Sequence, residues 1–292
     1  MGKQIQPLRI GIIGLRKWNS NLRIGAIFAV LLVYIFYTQS GVRLLCQEQD
    51  LAVTPWIFPG ILMLPENLTM IMLLPVLLFC DAPFLDIQSP YSVVRSGRCK
   101  WILGQCFYVI LTSVVYPLVA YASSLIFSLP NLSFSTKWGH ILKMLSTTNS
   151  REFYYRYARF LNMNGAVMNA YTPVQATLLT LLLMILVCSF LGLLILTLNL
   201  RLPRAAGLAV ASCFVFLDFF SSWFAGIQGP LGTIIYFFSP VSWCNLGNLK
   251  MDVEVRPTLS YAIIILLVLN SLLVFLSVMQ MRKREIEVLP EI

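Results

Sequence analysis

VQATLLTLLLMILVCSFLGLLILTL (Val174–Leu198) holds no charged side chain from end to end. A run this long and continuous predicts a transmembrane α-helix. About 20 apolar residues, at roughly 1.5 Å of rise each, cross the ~30 Å hydrocarbon core. A barrel strand would alternate polar and apolar over about 10 residues instead. The rest of the chain repeats the pattern. Of 292 residues, 58% are hydrophobic and 11% are charged, and mean hydropathy is +0.80. A soluble domain carries about 25% charged residues, so this chain has too few to clothe a water-facing surface.

The predicted fold is an all-α integral membrane protein, one transmembrane domain over residues 1–292. Six spans are expected, at 24–39, 66–84, 101–128, 174–198, 205–224 and 259–280. Pro117 predicts a kink in the third. The first apolar run begins near Ile24 with no A-x-A-like site after it, so it reads as a retained span rather than a cleaved signal. Ahead of it, residues 4–18 put Ile5, Leu8, Ile12 and Leu15 on one stripe, with Arg9, Arg16 and Lys17 off it and Trp18 near the end. That pattern predicts an amphipathic helix lying on the cytoplasmic leaflet. LPENLT (Leu64–Thr69) allows two readings. One is a single long span with Glu66 at mid-membrane. The preferred one is a short outer re-entrant helix near 53–63, with the second span starting at Glu66, because Pro65 suits a helix start and leaves Glu66 near the headgroups. Another apolar piece, Ile234–Phe238, is too short to cross.

The net charge is +9, and the cationic residues fall mostly between apolar runs. Anionic lipid and orientation explain them, and no nucleic-acid partner is expected. Lys3, Arg9, Arg16, Lys17 and Arg23 precede the first span, and Arg282, Lys283 and Arg284 follow the last. Both termini therefore read as cytoplasmic, with Arg95, Arg98, Lys100, Arg201 and Arg204 in inner turns. The exception is residues 129–172, the largest non-spanning segment, which is expected outside yet carries Lys137, Lys143, Arg151, Arg156 and Arg159.

Seven cysteines form no C-x-x-C pair, and His140 is the one histidine, so no metal site is expected. There is no G-x-x-x-x-G-K-[ST] loop, no H-E-x-x-H and no G-x-S-x-G, and no catalytic residue is assigned. An intramembrane enzyme would need paired ionisable groups at one depth. Asp218 stands alone inside a span, with Glu66 and Asp81 near opposite faces.

Asp218, within FVFLDFFSSW (Phe214–Trp223), should face protein or a water-filled cavity. It reads either as a substrate or proton contact, with Asn270 in the same cavity, or as an acid that holds helices together through Asn270 or Ser221. In REFYYRYARFL (Arg151–Leu161), Arg151, Tyr155 and Arg159 share a helical face, with Phe153, Tyr157 and Phe160 along another side. This reads as an outer interfacial helix on anionic headgroups, or as a lid whose Arg151, Arg156 and Arg159 gate an exit or hold an anionic substrate. Cys46 and Cys244 both fall outside, and a disulfide between them would tie the first outer loop to the last. SPYSVVRSGRCKWILGQ (Ser89–Gln105) is a short amphipathic segment with a basic end, running into a Trp-started span. It reads as positive-inside charge with an aromatic anchor, or as a docking helix for a cytoplasmic partner.

In its order of parts the chain resembles the permeases of type-2 ATP-binding-cassette (ABC) exporters. Those proteins have an interfacial N-terminal helix, six spans, a coupling helix between spans two and three, and a re-entrant outer element between spans five and six. Here the corresponding stretches are residues 4–18, then DAPF (Asp81–Phe84) leading to RSGRCKWILGQ (Arg95–Gln105), then IIYFFSPVSWCNL (Ile234–Leu246). DAPF, NAYTPVQA (Asn169–Ala176) and FSPVSW (Phe238–Trp243) are also similar to permease-like proteins of Gram-positive bacteria. The resemblance covers nearly the whole chain and rests on architecture and loose local patterns. The long basic segment 129–172 departs from the family's short connection there, which leaves the substrate class open.

The resemblance implies a multi-pass protein of the bacterial plasma membrane with two partners, a cytoplasmic ABC ATPase subunit and a second permease protomer. ATP and magnesium would be bound by that ATPase, and no cofactor by this chain. Ser89–Lys100 would seat in a groove on the ATPase, with polar contacts from Arg95, Arg98 and Lys100 and packing by Tyr91 and Val93. The implied cargo is a peptide, a lipid-like molecule or an amphipathic small molecule. The competing expectation is a membrane accessory or immunity protein that binds a peptide at the outer face without an ATPase.

Overall fold

The computed structural model describes residues 7–16, 18, 21–84, 89–148, 150–250 and 255–283. Of the readings above, Lys3–Gln6, Lys17 and Arg284 lie outside the described residues. The described chain is all-helical. Its helices are α1 (Pro7–Arg16), α2 (Leu22–Thr38), α3 (Ser40–Gln49), α4 (Phe58–Ile61), α5 (Pro65–Phe79), α6 (Ser89–Ser96) and α7 (Arg98–Ser128). They continue with α8 (His140–Thr147), α9 (Arg151–Phe153), α10 (Gly165–Ala170), α11 (Pro173–Asn199), α12 (Arg204–Gln228) and α13 (Leu259–Lys283).

Among the described residues, five helical stretches are long and apolar enough to cross a membrane: Leu22–Gln49, Arg98–Asn131, Pro173–Asn199, Ala205–Ala225 and Leu259–Arg282. They fit a multi-pass membrane protein. The predicted second span, 66–84, is shorter than expected: α5 has 15 residues, a length of roughly 22 Å. Proline sets its end. Pro83 disfavours helical backbone at Ala82, and the chain leaves the helix after Phe79. The first helix is longer than expected. It breaks at Gln39 and resumes as α3, carrying the polar residues 41–49 in helical form. Gln39 is buried at the break, where its amide donates to the Ser124 carbonyl (3.1 Å) and accepts from the Ser128 hydroxyl (3.2 Å).

Helix α5 sits at the centre, packed by α2, α7, α11 and α12. Its Leu68, Ile71 and Met72 are fully buried. Pro75 lies inside α5 and has no N–H, so the carbonyl four residues earlier loses its donor. That carbonyl is Ile71's, and the buried Tyr116 hydroxyl of α7 donates to it at 2.6 Å. Between α11 and α13 the Thr197 and Ser277 hydroxyls are 2.8 Å apart, and the Asn270 amide donates to the Leu186 carbonyl (3.1 Å). Such bonds join helices where hydrocarbon offers no alternative partner.

α1 packs along the start of α7. The Trp18 indole donates to the Tyr108 hydroxyl (2.9 Å), while Leu8 and Ile12 of the predicted apolar stripe point outward, half exposed. Gly104 permits the contact, since a Cβ there would lie 2.6 Å from Ile10 Cβ. Replacing it overpacks the seam, and such insertions cost about 1–3 kcal/mol. Gly104→Leu should therefore lower the unfolding temperature of the detergent-purified protein. Gly25→Ala, which meets open space, should not.

Candidate functional site

One end of the bundle gathers the end of α5, the starts of α2, α7 and α12, and the end of α11. Here Asp81–Phe84, the DAPF stretch, is held from three sides. Asp81 forms an ion pair with Arg23 of α2. The Asn199 amide at the end of α11 donates to the Ala82 carbonyl (2.7 Å). The Phe84 ring meets the Tyr108 ring of α7 edge-on at 4.6 Å.

From this anchored loop the chain passes to α6. Gly97 joins α6 to α7 with φ of 83°, a left-handed conformation that side chains other than glycine's resist. Along α6, Tyr91 is 79% and Val94 84% exposed, whereas Val93 is 8% exposed and belongs to the main core. This corrects the expectation that Tyr91 and Val93 share a docking face. At about 100° per residue, positions two apart point to nearly opposite sides, while 91, 94 and 95 align along α6. Val94 is the residue that sequence reading missed, and that same periodicity would have found it. Arg95 and Arg98 are exposed and Lys100 is half-buried. Arg95 lies in the last turn of α6, where a cation complements the helix dipole. Ser89 opens α6, and its side chain lies outside the described residues.

The opposite end is closed by the segment after α7. Ser150 caps α9 by accepting from the Phe153 N–H (3.2 Å), and Tyr154–Ala158 continues as a π-helical turn. Arg156 pairs with Glu48 of α3, and the Tyr157 hydroxyl donates to the same carboxylate. That donation holds the Tyr157 phenol above its ordinary pKa. Arg159 lies over the Phe160 ring (5.2 Å), and that ring meets Tyr37 at 4.6 Å. Of the three arginines read as a lid, Arg151 and Arg159 are exposed, and Arg156 ties the segment to α3. Tyr155, expected on a stripe with Arg151 and Arg159, is exposed as they are. Cys46 and Cys244, read as a possible pair, are both buried free thiols.

Asp218 lies in α12 with 0% exposure. It meets neither sequence-stated partner. Asn270 donates to backbone carbonyls of α11 and α13, and the Ser221 hydroxyl donates to the Asp218 main-chain carbonyl (2.8 Å). Neither carboxylate oxygen has a hydrogen-bond partner among the described residues. The side chain lies instead beside Thr69 of α5, in the electrostatic reach of Glu66.

No protein-family model, curated protein or solved structure matches this chain.

Two predictions follow from this geometry. Val93→Asp places a charge in the core, at a cost of about 3 kcal/mol or more, and should lower the unfolding temperature sharply. Val94→Asp should leave that temperature within a degree or two of wild type. At the other end, Glu48→Ala removes the acceptor shared by Arg156 and Tyr157. Limited proteolysis should then cut faster within 151–159, with the span-forming helices unaffected.

Proposed function

We propose that this chain is the permease subunit of an ATP-driven transporter of the type-2 ABC exporter class. In this reading it sits in the plasma membrane with α5 as a short sixth crossing and both termini in the cytoplasm. It pairs with a second permease protomer and a separate ATPase subunit, which binds the ATP and magnesium. The cargo class is a peptide, a lipid-like molecule or an amphipathic small molecule moving outward.

The observation that carries this reading is α6. A short helix presents Tyr91, Val94 and Arg95 outward, on a loop tied to α2, α7 and α11 by Asp81, Phe84 and Ala82. Two exposed apolar residues beside a cation suit a protein groove better than water. The anchored loop makes α6 a handle, because a load on it reaches α5, α7 and α11 together.

The test is gentle solubilisation of the tagged protein from its host, with mass spectrometry of what accompanies it. A stoichiometric ATPase bearing a phosphate-binding loop should co-purify, and Val94→Asp or Arg95→Glu should release it without unfolding the permease. Intact complexes that contain no ATPase would overturn the proposal and favour an accessory or immunity protein that binds a peptide at the outer face.

A further inference from the structure

We propose that Asp218, with Thr69, forms a small-cation site between α12 and α5, reached from the side where Glu66 is exposed. It stands apart from the permease proposal, since it requires nothing to bind α6.

The argument starts from what Asp218 lacks. A carboxylate removed from water and left without a cation is among the costliest groups a protein can bury, and inside a span the cost is borne only for a use. Both Asp218 oxygens are buried without a hydrogen-bond partner, and so is Thr69 Oγ1 on the facing helix. Thr69 is itself only 7% exposed. The two side chains lie close enough for the threonine to act on the acid without completing a bond of good geometry. They contribute three oxygen acceptors from two helices, the hard donor set that small cations select.

The groups around the pair fit this reading. On α5, Glu66 lies one turn before Thr69 and is exposed in the first turn of the helix. It brings a second acidic side chain within electrostatic reach of Asp218. Tyr236 and the buried Cys244 thiol, from the turns before α13, lie within electrostatic reach of Asp218. Both are neutral in their ordinary state. The nearby cation is Arg256, which lies over the Tyr236 ring (5.6 Å) and donates to the Gly247 carbonyl. It approaches Tyr236 and is not among the groups acting on Asp218. Among the described residues these neighbours are acidic or neutral, so a cation or a proton from solution would balance the acid.

The test uses the full chain in lipid nanodiscs. Its unfolding temperature is followed at constant ionic strength as choline is exchanged for sodium or potassium, and then across pH. A ligand that binds the native state at about a hundred times its Kd should raise Tm by about 5 °C. A rise with one alkali ion at fixed pH, absent in Asp218→Asn, identifies an alkali-ion site. If alkali ions have no effect but the Tm difference between wild type and Asp218→Asn changes with pH, the bound cation is the proton. In the alkali-ion case Thr69→Val should weaken the response about tenfold in apparent affinity. In the proton case it should shift the pH at which the difference from Asp218→Asn changes, because the hydroxyl that acts on the acid is gone. Glu66→Gln should keep the response at its full size. A wild-type Tm indifferent to alkali ions, and parallel to that of Asp218→Asn across pH, would overturn the proposal. Should Asp218→Asn fail to assemble, Thr69→Val serves in its place, and an unaltered response in that variant would also overturn it.

Discussion

A helix too short for the bilayer, buried at the centre of longer ones, is the constraint on which the rest of this structure depends. The carbonyls near the ends of α5 cannot be left to lipid or to apolar neighbours, because each unsatisfied group costs about 1–3 kcal/mol or more. Three asparagines and one tyrosine meet the need. Asn67 donates to the Ile61 and Phe160 carbonyls and accepts from the Tyr34 hydroxyl. Asn245 donates to the Met63 carbonyl just ahead of α5. Asn199 reaches the Cys80 and Ala82 carbonyls at the other end. Tyr116 closes the gap that Pro75 opens midway. The loops at both ends of the bundle are folded inward to meet these donors, which is why they are ordered parts of the core.

Helix α5 lies next to each feature described here. Its C-terminal end runs through Asp81–Phe84 towards α6. Its N-terminal half carries Glu66 and Thr69 to Asp218, and Asn67 holds the chain next to the π-helical turn. On the proposed reading a load on α6 cannot move α5 without disturbing the seam at Asp218. A helix that shifts as a rigid piece between packed neighbours couples its two ends through geometry alone. The Glu48 pair with Arg156 and Tyr157 then acts as a brace between α3 and the outer segment, holding the end of the bundle that Asn67 contacts.

The helical membrane class and the long helices were legible in the sequence because apolar length is a strong signal, as at Val174–Leu198. The same signal failed for α5. An apolar run records where residues can be buried and does not record where the helix stops, which was decided by Pro83 and by the donors of Asn199. It also failed beyond Gln39. Polar residues there remain helical because one face, with Val42, Leu45 and Cys46, is buried while Glu48 meets a segment more than a hundred positions away. The site residues were partly legible. Tyr91 and Arg95 stood out, but Val93 faces the core while Val94, on the Tyr91 side of α6, is exposed. Asp218 was legible as a buried acid, whereas its neighbour Thr69 was not, because contacts between α12 and α5 leave no local trace.

The contrast between these two kinds of buried polar group bears on function. Several interior donors are bonded: Asn67, Asn199, Asn245 and Tyr116 each meet a backbone carbonyl at 3.0 Å or less. An interior able to do that could also supply a donor to a carboxylate two helices away. Beside Asp218 it supplies a hydroxyl that completes no bond, and neighbours that are acidic or neutral. Were Asp218 there to hold helices together, a bonded partner would be the economical arrangement, as the Thr197 and Ser277 hydroxyls have between α11 and α13. On the proposed reading of Asp218, an acid without a bonded partner is one that an incoming cation can satisfy and a departing one can expose.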